Sequence, residues 1–449
     1  MGWCRDSGLS DAGGGVGLSG LGHRAAPFAG LAALTIIGGN PANALAVIAN
    51  PETVGISAAR LKIIDAVLER HIAAGGITSA VTAVMRRGRL VQFKAYGLSD
   101  LDARTPMRTD AIFQMYSSTK IVTAVAVLML VEEGKIRLED PVSRYLPAFK
   151  GAQVAVAKPG ATPTPRAIGA SLPGYDLVPA VRDPTIRDLM THTAGLGSAY
   201  PLRVSPQPPV RGSHESLASF VTRLASQPLD FQPGTRWSYS GITGCEVLAR
   251  IVELQSGQPF ETFLAERIFK PLGMTDTYYH LPATERGRLL PVYRRADDAW
   301  VRIPPAMTGE ASVADGNVWG SIGLVGTADD FVILQQMLLN KGEYGGRRLL
   351  GARTVELMAT NHVADLYRGE GGYAVPMYGH GFGLLVQVVL DPIDGNTGHS
   401  AGAFGWGGYL GTMNWTDPKE EIAAVILLQQ NNREVHIDFE RAIRQAIVD

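Results

Sequence analysis

The stretch that decides the fold begins at residue 117 and reads Ser117-Ser118-Thr119-Lys120, followed over residues 121–131 by the run IVTAVAVLMLV. Apolar residues cover nearly every face of this run, which predicts a buried helix. A serine and a lysine three positions apart lie on the same helical face, about 5–6 Å apart at Cβ. Ser117 is therefore a candidate nucleophile and Lys120 its candidate base, close to the positive end of a helix dipole. Such a site suits acyl transfer.

Ser-x-x-Lys also arises by chance, and Ser117 could simply cap the helix that follows. Two segments further along the chain favour the chemical interpretation. Residues 231–240 read FQPGTRWSYS, a Pro-Gly turn that leads into an aromatic loop. Residues 405–415 read GWGGYLGTMNW, a glycine-rich entry to an apolar segment.

With these three segments in this order, the chain resembles the serine beta-lactamase and penicillin-binding-protein superfamily. Within its class C beta-lactamase-like members, it is most similar to the family VIII carboxylesterases, which carry Ser-x-x-Lys, Tyr-Ser-x and Trp-Gly-Gly. Supporting similarity runs through residues 185–196, 268–277 and 323–339. The resemblance covers roughly residues 50 to 440, and the ordered set is more specific than any single motif.

The resemblance implies a catalytic trio of Ser117, Lys120 and Tyr239. Which of Lys120 and Tyr239 acts as the general base stays open. It also implies an oxyanion hole formed by the backbone N–H groups of Ser117 and Tyr409. The remaining substrate-binding positions that it implies lie just before this tyrosine: Trp406, Gly407 and Gly408.

Two positions depart from the lactamase pattern, namely Gly241 and Trp406. At the first position lactamases carry an amide or similar polar side chain, which can bond a substrate amide; at the second they carry a lysine, which can pair with a carboxylate. Glycine and tryptophan can form neither interaction. The departures favour neutral acyl substrates, and hence a serine carboxylesterase. The alternatives are a beta-lactamase, an amide or D-amino-acid peptide hydrolase, and an acyltransferase. A catalytically silent, cell-wall-binding relative is the non-enzyme alternative, which the intact trio argues against.

A competing motif lies at residues 398–402, which read GHSAG and match the Gly-x-Ser-x-Gly elbow of another hydrolase fold. Asp417 and His436 follow Ser400 in the order of that fold. The elbow needs a strand before the serine and a helix after it. Turn-like residues 391–396 precede Ser400 and glycine-rich residues follow it, so we expect Ser400 to lie in a loop.

Composition narrows the function class. The chain has 449 residues, 46% of them hydrophobic, so it can bury a large core. Its formal net charge of −1 indicates no nucleic-acid partner. Two cysteines imply no disulfide framework, and no metal or nucleotide motif appears, so we expect no cofactor and no metal. The expected partner is a small-molecule ester; no membrane span is expected, and the oligomeric state is not indicated.

Residues 1–46 read as a disordered leader that contains the parts of a secretory signal. Arg24 precedes a mildly apolar stretch over residues 25–37, and an Ala-x-Ala site follows, with cleavage at Ala44 or Ala46. These parts predict a periplasmic or secreted protein. The segment before Arg24 is long and carries Asp6 and Asp11, which leaves a cytoplasmic location as the alternative.

The fold predicted from these observations is α+β, a beta-lactamase-like antiparallel sheet flanked by helices. A helix capped by Ser57 and a hairpin over residues 80–96 open it; strands over residues 382–390, 408–415 and 422–429 and a final helix close it. Residues 50–113 and 300–449 would form the sheet domain. A mostly helical domain over residues 114–299, carrying the nucleophile helix, would be inserted between them.

Overall fold

A computed structural model describes residues 45–48, 50–160, 164–165, 174–197, 202–203, 205–308, 316–368 and 377–449. Residues 1–44 of the predicted leader, which include the candidate cleavage residue Ala44, lie outside the described residues. Its last two residues, 45 and 46, are described. The fold is α+β and beta-lactamase-like, as predicted. No helix in the described ranges is long and apolar enough to span a membrane.

An eight-stranded antiparallel sheet forms the centre of the molecule, in the order β4-β5-β6-β7-β8-β1-β2-β3. Val81 pairs with Leu427, which joins a strand from the start of the chain to one from its end. The strands are β1 (Ser79–Arg86), β2 (Arg89–Asp100), β3 (Thr105–Pro106), β4 (His380–Phe382), β5 (Gln387–Val389), β6 (Phe404–Gly407), β7 (Met413–Asp417) and β8 (Ile422–Leu427).

The sheet is buried on both faces. Along β1, Val81 and Ala83 face one core, whereas Ala80 and Val84 face the other. The α-helices of five residues or more in the described ranges are α1 (Ile63–Ala73), α2 (Thr119–Glu132), α3 (Ile186–Met190), α4 (Leu217–Ala225), α5 (Thr243–Ser256), α6 (Phe260–Leu264), α7 (Ala328–Leu339), α8 (Ala352–Met358) and α9 (Arg433–Arg444). Helices α1 and α9 cover one face, while α7 and the helical segment that holds α2 to α6 cover the other.

Short elements complete the described fold. Helical turns cover Pro51–Val54, Ala58–Leu61, Tyr116–Ser118, Val142–Arg144, Pro147–Phe149, Ala265–Phe269, Lys270–Leu272, Arg286–Arg288, Pro305–Thr308 and Ala364–Arg368. Small antiparallel pairs join Phe113–Gln114 with Val325–Gly326, Gln153–Ala157 with Tyr175–Pro179, Thr164–Pro165 with Leu202–Arg203, Tyr293–Ala296 with Ala299–Arg302, and Glu343–Tyr344 with Arg347–Arg348.

Two strand predictions were wrong. Residues 382–390 form the end of β4, a turn with Leu385 at φ 61°, and β5, rather than one strand. Residues 408–412 are also a turn, in which Gly411 has φ 93°, and β7 begins only at Met413. The first segment is apolar and mostly buried without being extended, whereas the second contains Tyr409, which is 56% exposed. Hydrophobic pattern alone separates neither case from a strand.

Candidate active site

Ser117 lies in the helical turn Tyr116–Ser118, just before the first residue of α2. Tyr116 has φ 44°, a left-handed conformation that is uncommon for a residue other than glycine. Among the bonds that hold this turn, the Ser118 N–H donates to the Met115 carbonyl at 3.0 Å, and the Tyr116 hydroxyl donates to the Thr308 carbonyl at 3.1 Å. Strained backbone at one residue is typical of functional sites, and here it immediately precedes the candidate nucleophile.

The structure brings the three candidate catalytic side chains together. The Tyr239 hydroxyl donates to Ser117 Oγ at 2.8 Å, and Lys120 Nζ lies 3.2 Å from the same oxygen. Tyr239 arrives from the loop before α5, more than a hundred residues along the chain. All three groups lie within the range of a working proton-transfer network.

Lys120 is fully buried and has further acceptors around its Nζ. It donates to the carbonyls of Gly241 at 2.7 Å and of Ser321 at 3.0 Å. Carbonyl oxygens only accept, so they occupy two N–H groups and leave the third position of the nitrogen facing Ser117 Oγ. In the neutral amine that position is a lone pair, which can take the serine proton. Nζ also lies 5.2 Å from the centre of the Tyr239 ring.

Glu246, which the sequence analysis missed, holds one of these carbonyls in place. This fully buried carboxylate on α5 accepts from the Gly320 N–H at 2.9 Å, and from the Ser321 N–H at 3.0 Å and hydroxyl at 2.5 Å. Burial raises its pKa, while the bonds to Ser321 and Gly320 and the charge of Arg211, 3.9 Å away, oppose that rise. Ser321 therefore positions Lys120 through its backbone carbonyl. A glutamate within a buried apolar helix was the available signal.

The turn over residues 408–412 carries the candidate oxyanion-hole residue Tyr409. Within the described parts of the chain, the backbone N–H groups of Ser117 and Tyr409 have no acceptor, so both are available to a ligand. Polar contacts that the sequence analysis missed tie this turn to the nucleophile. Ser118 Oγ lies 2.9 Å from Thr412 Oγ1 and accepts from Asn414 Nδ2 at 3.0 Å. The Thr412 hydroxyl also lies 3.2 Å from the Met115 carbonyl.

Gly408 lets the turn approach the nucleophile. A Cβ at this position would lie 2.3 Å from the Met115 carbonyl oxygen and 2.3 Å from Thr412 Oγ1, so both groups would have to move. We expect Gly408→Ala to lower kcat on the order of 10²-fold, since a displacement of about 1 Å can have that effect. Ester turnover measures this loss. Gly287→Ala is the control, because a Cβ there meets nothing within 4 Å. Equal activity in the two variants would contradict this role of Gly408.

The two positions that depart from the lactamase pattern both lie at the trio. Gly241 supplies its carbonyl to Lys120, and a Cβ on it would only touch the Tyr239 ring at 3.7 Å. The site therefore has room for a small side chain at this position. Trp406 is 4% exposed, and its ring packs 5.5 Å from that of Tyr239. An indole thus occupies the position of the lactamase lysine.

Ser400 lies outside the trio, as expected. Its N–H donates to Asp417 Oδ2 at 2.8 Å and its hydroxyl to Glu420 Oε1 at 3.2 Å. His436 Nε2 instead bonds the Gly411 carbonyl at 2.9 Å, so no His436–Asp417 pair serves Ser400. Among the described residues, no group of three or more His, Cys, Asp or Glu could hold a metal ion.

Comparison with known proteins places these observations in context. The sequence profile of a family described as Beta-lactamase matches residues 64–447. Esterase EstB of Burkholderia gladioli is 31% identical over 405 residues, which cover 84% of this chain and 93% of the esterase.

Two solved structures share the fold. One is EstCE1, described as a hydrolase with promiscuous acyltransferase activity; it has a TM-score of 0.69 and 25% identity, over 87% of this chain and 99% of that one. The other is a family VIII carboxylesterase with a TM-score of 0.68 and 20% identity, over 87% of this chain and 99% of that one.

Proposed function

The chain belongs to the Beta-lactamase family of serine hydrolases, and on this premise we propose that it is a carboxylesterase that cleaves neutral esters through an acyl-enzyme on Ser117. The observation that carries the proposal is the convergence of Tyr239 Oη and Lys120 Nζ on Ser117 Oγ, at 2.8 and 3.2 Å. The similarity to esterase EstB supports the ester class.

In the acylation step, Ser117 Oγ attacks the ester carbonyl and its proton passes to the Lys120–Tyr239 pair. The negative charge moves to the carbonyl oxygen, where the N–H groups of Ser117 and Tyr409 would stabilise it. Collapse of this intermediate breaks the bond to the alcohol oxygen. The alcohol leaves with the proton that the pair returns, and the acyl group stays on Ser117.

In the deacylation step, water attacks the acyl carbonyl and gives a proton to the same pair. The bond to Ser117 Oγ then breaks, the serine recovers its proton, and the carboxylic acid leaves. Because Tyr239 bonds Ser117 Oγ directly, and two carbonyls hold Lys120, no side chain has to move between the two steps.

The residues beside the trio at positions 241 and 406 support the proposed class of substrate. Gly241 has no side chain to bond a lactam amide, and the Trp406 indole cannot pair with a carboxylate. A missing bond to the neutral amide is worth about 0.5–1.5 kcal/mol, and a missing bond to the carboxylate about 1.5–3 kcal/mol. Both losses fall on lactams and peptides rather than on neutral esters.

We therefore expect kcat/KM for a short p-nitrophenyl ester to exceed that for a chromogenic cephalosporin by at least about 10²-fold, because two substrate bonds are absent. A panel of chromogenic esters, anilides and lactams on the purified chain measures this ratio. The Ser117→Ala variant, run in parallel, controls for spontaneous hydrolysis and contaminating enzymes. A cephalosporin cleaved as efficiently as the best ester would overturn the ester assignment.

Acyl transfer to an alcohol is the second candidate function, favoured by the description of EstCE1. It would use the same acyl-enzyme, with an alcohol in place of water in the second step. Product analysis with a competing alcohol distinguishes the two, since a new ester forms only by transfer.

A further inference from the structure

His192 lies in the turn that follows α3 and is 2% exposed. Its backbone has φ 58°, in the left-handed region. Its own carbonyl accepts from the Ser238 N–H at 3.0 Å, and its Nδ1 accepts from the Ser240 N–H at 3.3 Å. One residue therefore binds the backbone on both sides of Tyr239.

We propose that His192 is a positioning residue that fixes the Tyr239 hydroxyl against Ser117 by accepting the N–H groups of Ser238 and Ser240. This inference rests on the proposed function, in which Tyr239 takes part in proton transfer. The imidazole also packs edge-on to the Tyr239 ring, with the ring centres 4.9 Å apart. The two backbone bonds set the position of the segment that carries the phenol, and the ring contact adds packing, which the Tyr239 ring also receives from Trp406.

The ionisation of the ring agrees with this role. Burial lowers the pKa of His192 well below its usual value, and the nearby charge of Lys120 lowers it further. The imidazole is therefore neutral at physiological pH, which leaves Nδ1 a lone pair for the Ser240 N–H and puts the proton on Nε2. Within the described residues Nε2 has no hydrogen-bond partner, so the hydrogen bond that orients the ring there is the one at Nδ1.

Asparagine and leucine are nearly isosteric with each other, so replacing His192 by each in turn separates the effect of the hydrogen-bond acceptor from the effect of side-chain size. In His192→Asn the amide oxygen is as many bonds from Cβ as Nδ1 is, and asparagine tolerates a left-handed backbone. His192→Leu has the same branching without an acceptor. We expect kcat for a p-nitrophenyl ester to fall on the order of 10²-fold in His192→Leu with KM little changed, and to stay within about threefold of wild type in His192→Asn.

His192→Gln provides a third comparison in case His192→Leu fails to fold. Its oxygen is one bond further from Cβ than Nδ1 is, so it should not restore the bond to Ser240, and its kcat should fall as in His192→Leu. Circular dichroism and melting temperature report the folding of each variant. Equal losses in the asparagine and glutamine variants, or full activity in His192→Leu, would overturn the proposal.

The ratio of kcat between the His192 variants tests the role of His192 independently of the substrate class. The comparison is made with whichever acyl donor the wild-type chain turns over, ester or otherwise. The rate at which a fluorophosphonate probe labels Ser117 gives a second readout, which requires only an activated serine. A wild-type chain that turns over no ester would count against the proposed function, while the order of the variants in probe labelling would still test His192.

Discussion

Replacing Ser117 by alanine is expected to lower kcat for a short p-nitrophenyl ester by at least about 10³-fold, because no other oxygen takes its place as the nucleophile. The fold should persist, since alanine suits a helix start and Lys120 keeps its bonds to the carbonyls of Gly241 and Ser321. Steady-state turnover and circular dichroism on the same preparation measure both outcomes. Loss of fluorophosphonate labelling would show that the probe reacts at this serine.

Ser400→Ala is the matched control for the Ser117 variant, since it removes the serine of the competing motif. Its hydroxyl donates only to Glu420 among the described residues, so we expect full activity and a small change in stability. The reverse pattern, with activity intact in Ser117→Ala and lost in Ser400→Ala, would refute the assignment of the nucleophile.

Tyr239→Phe is expected to lower kcat by about 10² to 10⁴-fold, the range that a positioned acid or base contributes. The variant removes the hydroxyl that lies 2.8 Å from Ser117 Oγ. It keeps the ring, and with it the contacts to His192 and Trp406. Stability and KM should therefore change little, which steady-state kinetics and thermal unfolding would show.

Tyr96→Phe serves as the control, because it is expected to lower stability and leave kcat unchanged, the reverse of Tyr239→Phe. The Tyr96 hydroxyl donates to Asp65 at 2.7 Å and accepts from Gln92 at 2.9 Å, in the core on the far side of the sheet. Its loss should cost about 1–3 kcal/mol of stability, because the buried Gln92 and the half-buried Asp65 each lose a bond, and leave kcat unchanged. If Tyr239→Phe kept full kcat, Tyr239 would have no part in proton transfer.

The relation between Ser117 and Lys120 could be predicted from the sequence because it depends only on helix geometry. Residues three apart on one helix share a face wherever that helix is placed, although Ser117 itself proves to lie in the turn just before α2. The opening hairpin was likewise local, since Arg87 and Gly88 adopt the left-handed angles that a tight turn requires.

Local pattern failed where a segment with apolar residues forms a turn instead of a strand. Residues 408–412 contain aromatic and apolar residues that suit a strand, and they form a turn because Gly408 packs against the Met115 carbonyl and Thr412 bonds the same carbonyl. Within the described residues, this turn leaves the backbone N–H of Tyr409 without an acceptor, whereas a neighbouring strand could have supplied one.

Sequence alone is enough to predict the residue types of the site, the helix that orients two of them, and the α+β class with strands from both ends of the chain. Three contacts depend on the tertiary structure: the Tyr239 hydroxyl donates to Ser117 Oγ, Glu246 holds the Ser321 backbone whose carbonyl binds Lys120, and His192 accepts from both neighbours of Tyr239. Helix and turn geometry act over a few residues and can be read from spacing. Contacts between residues far apart in the chain form only when whole elements pack into one shared core, and no local pattern encodes that.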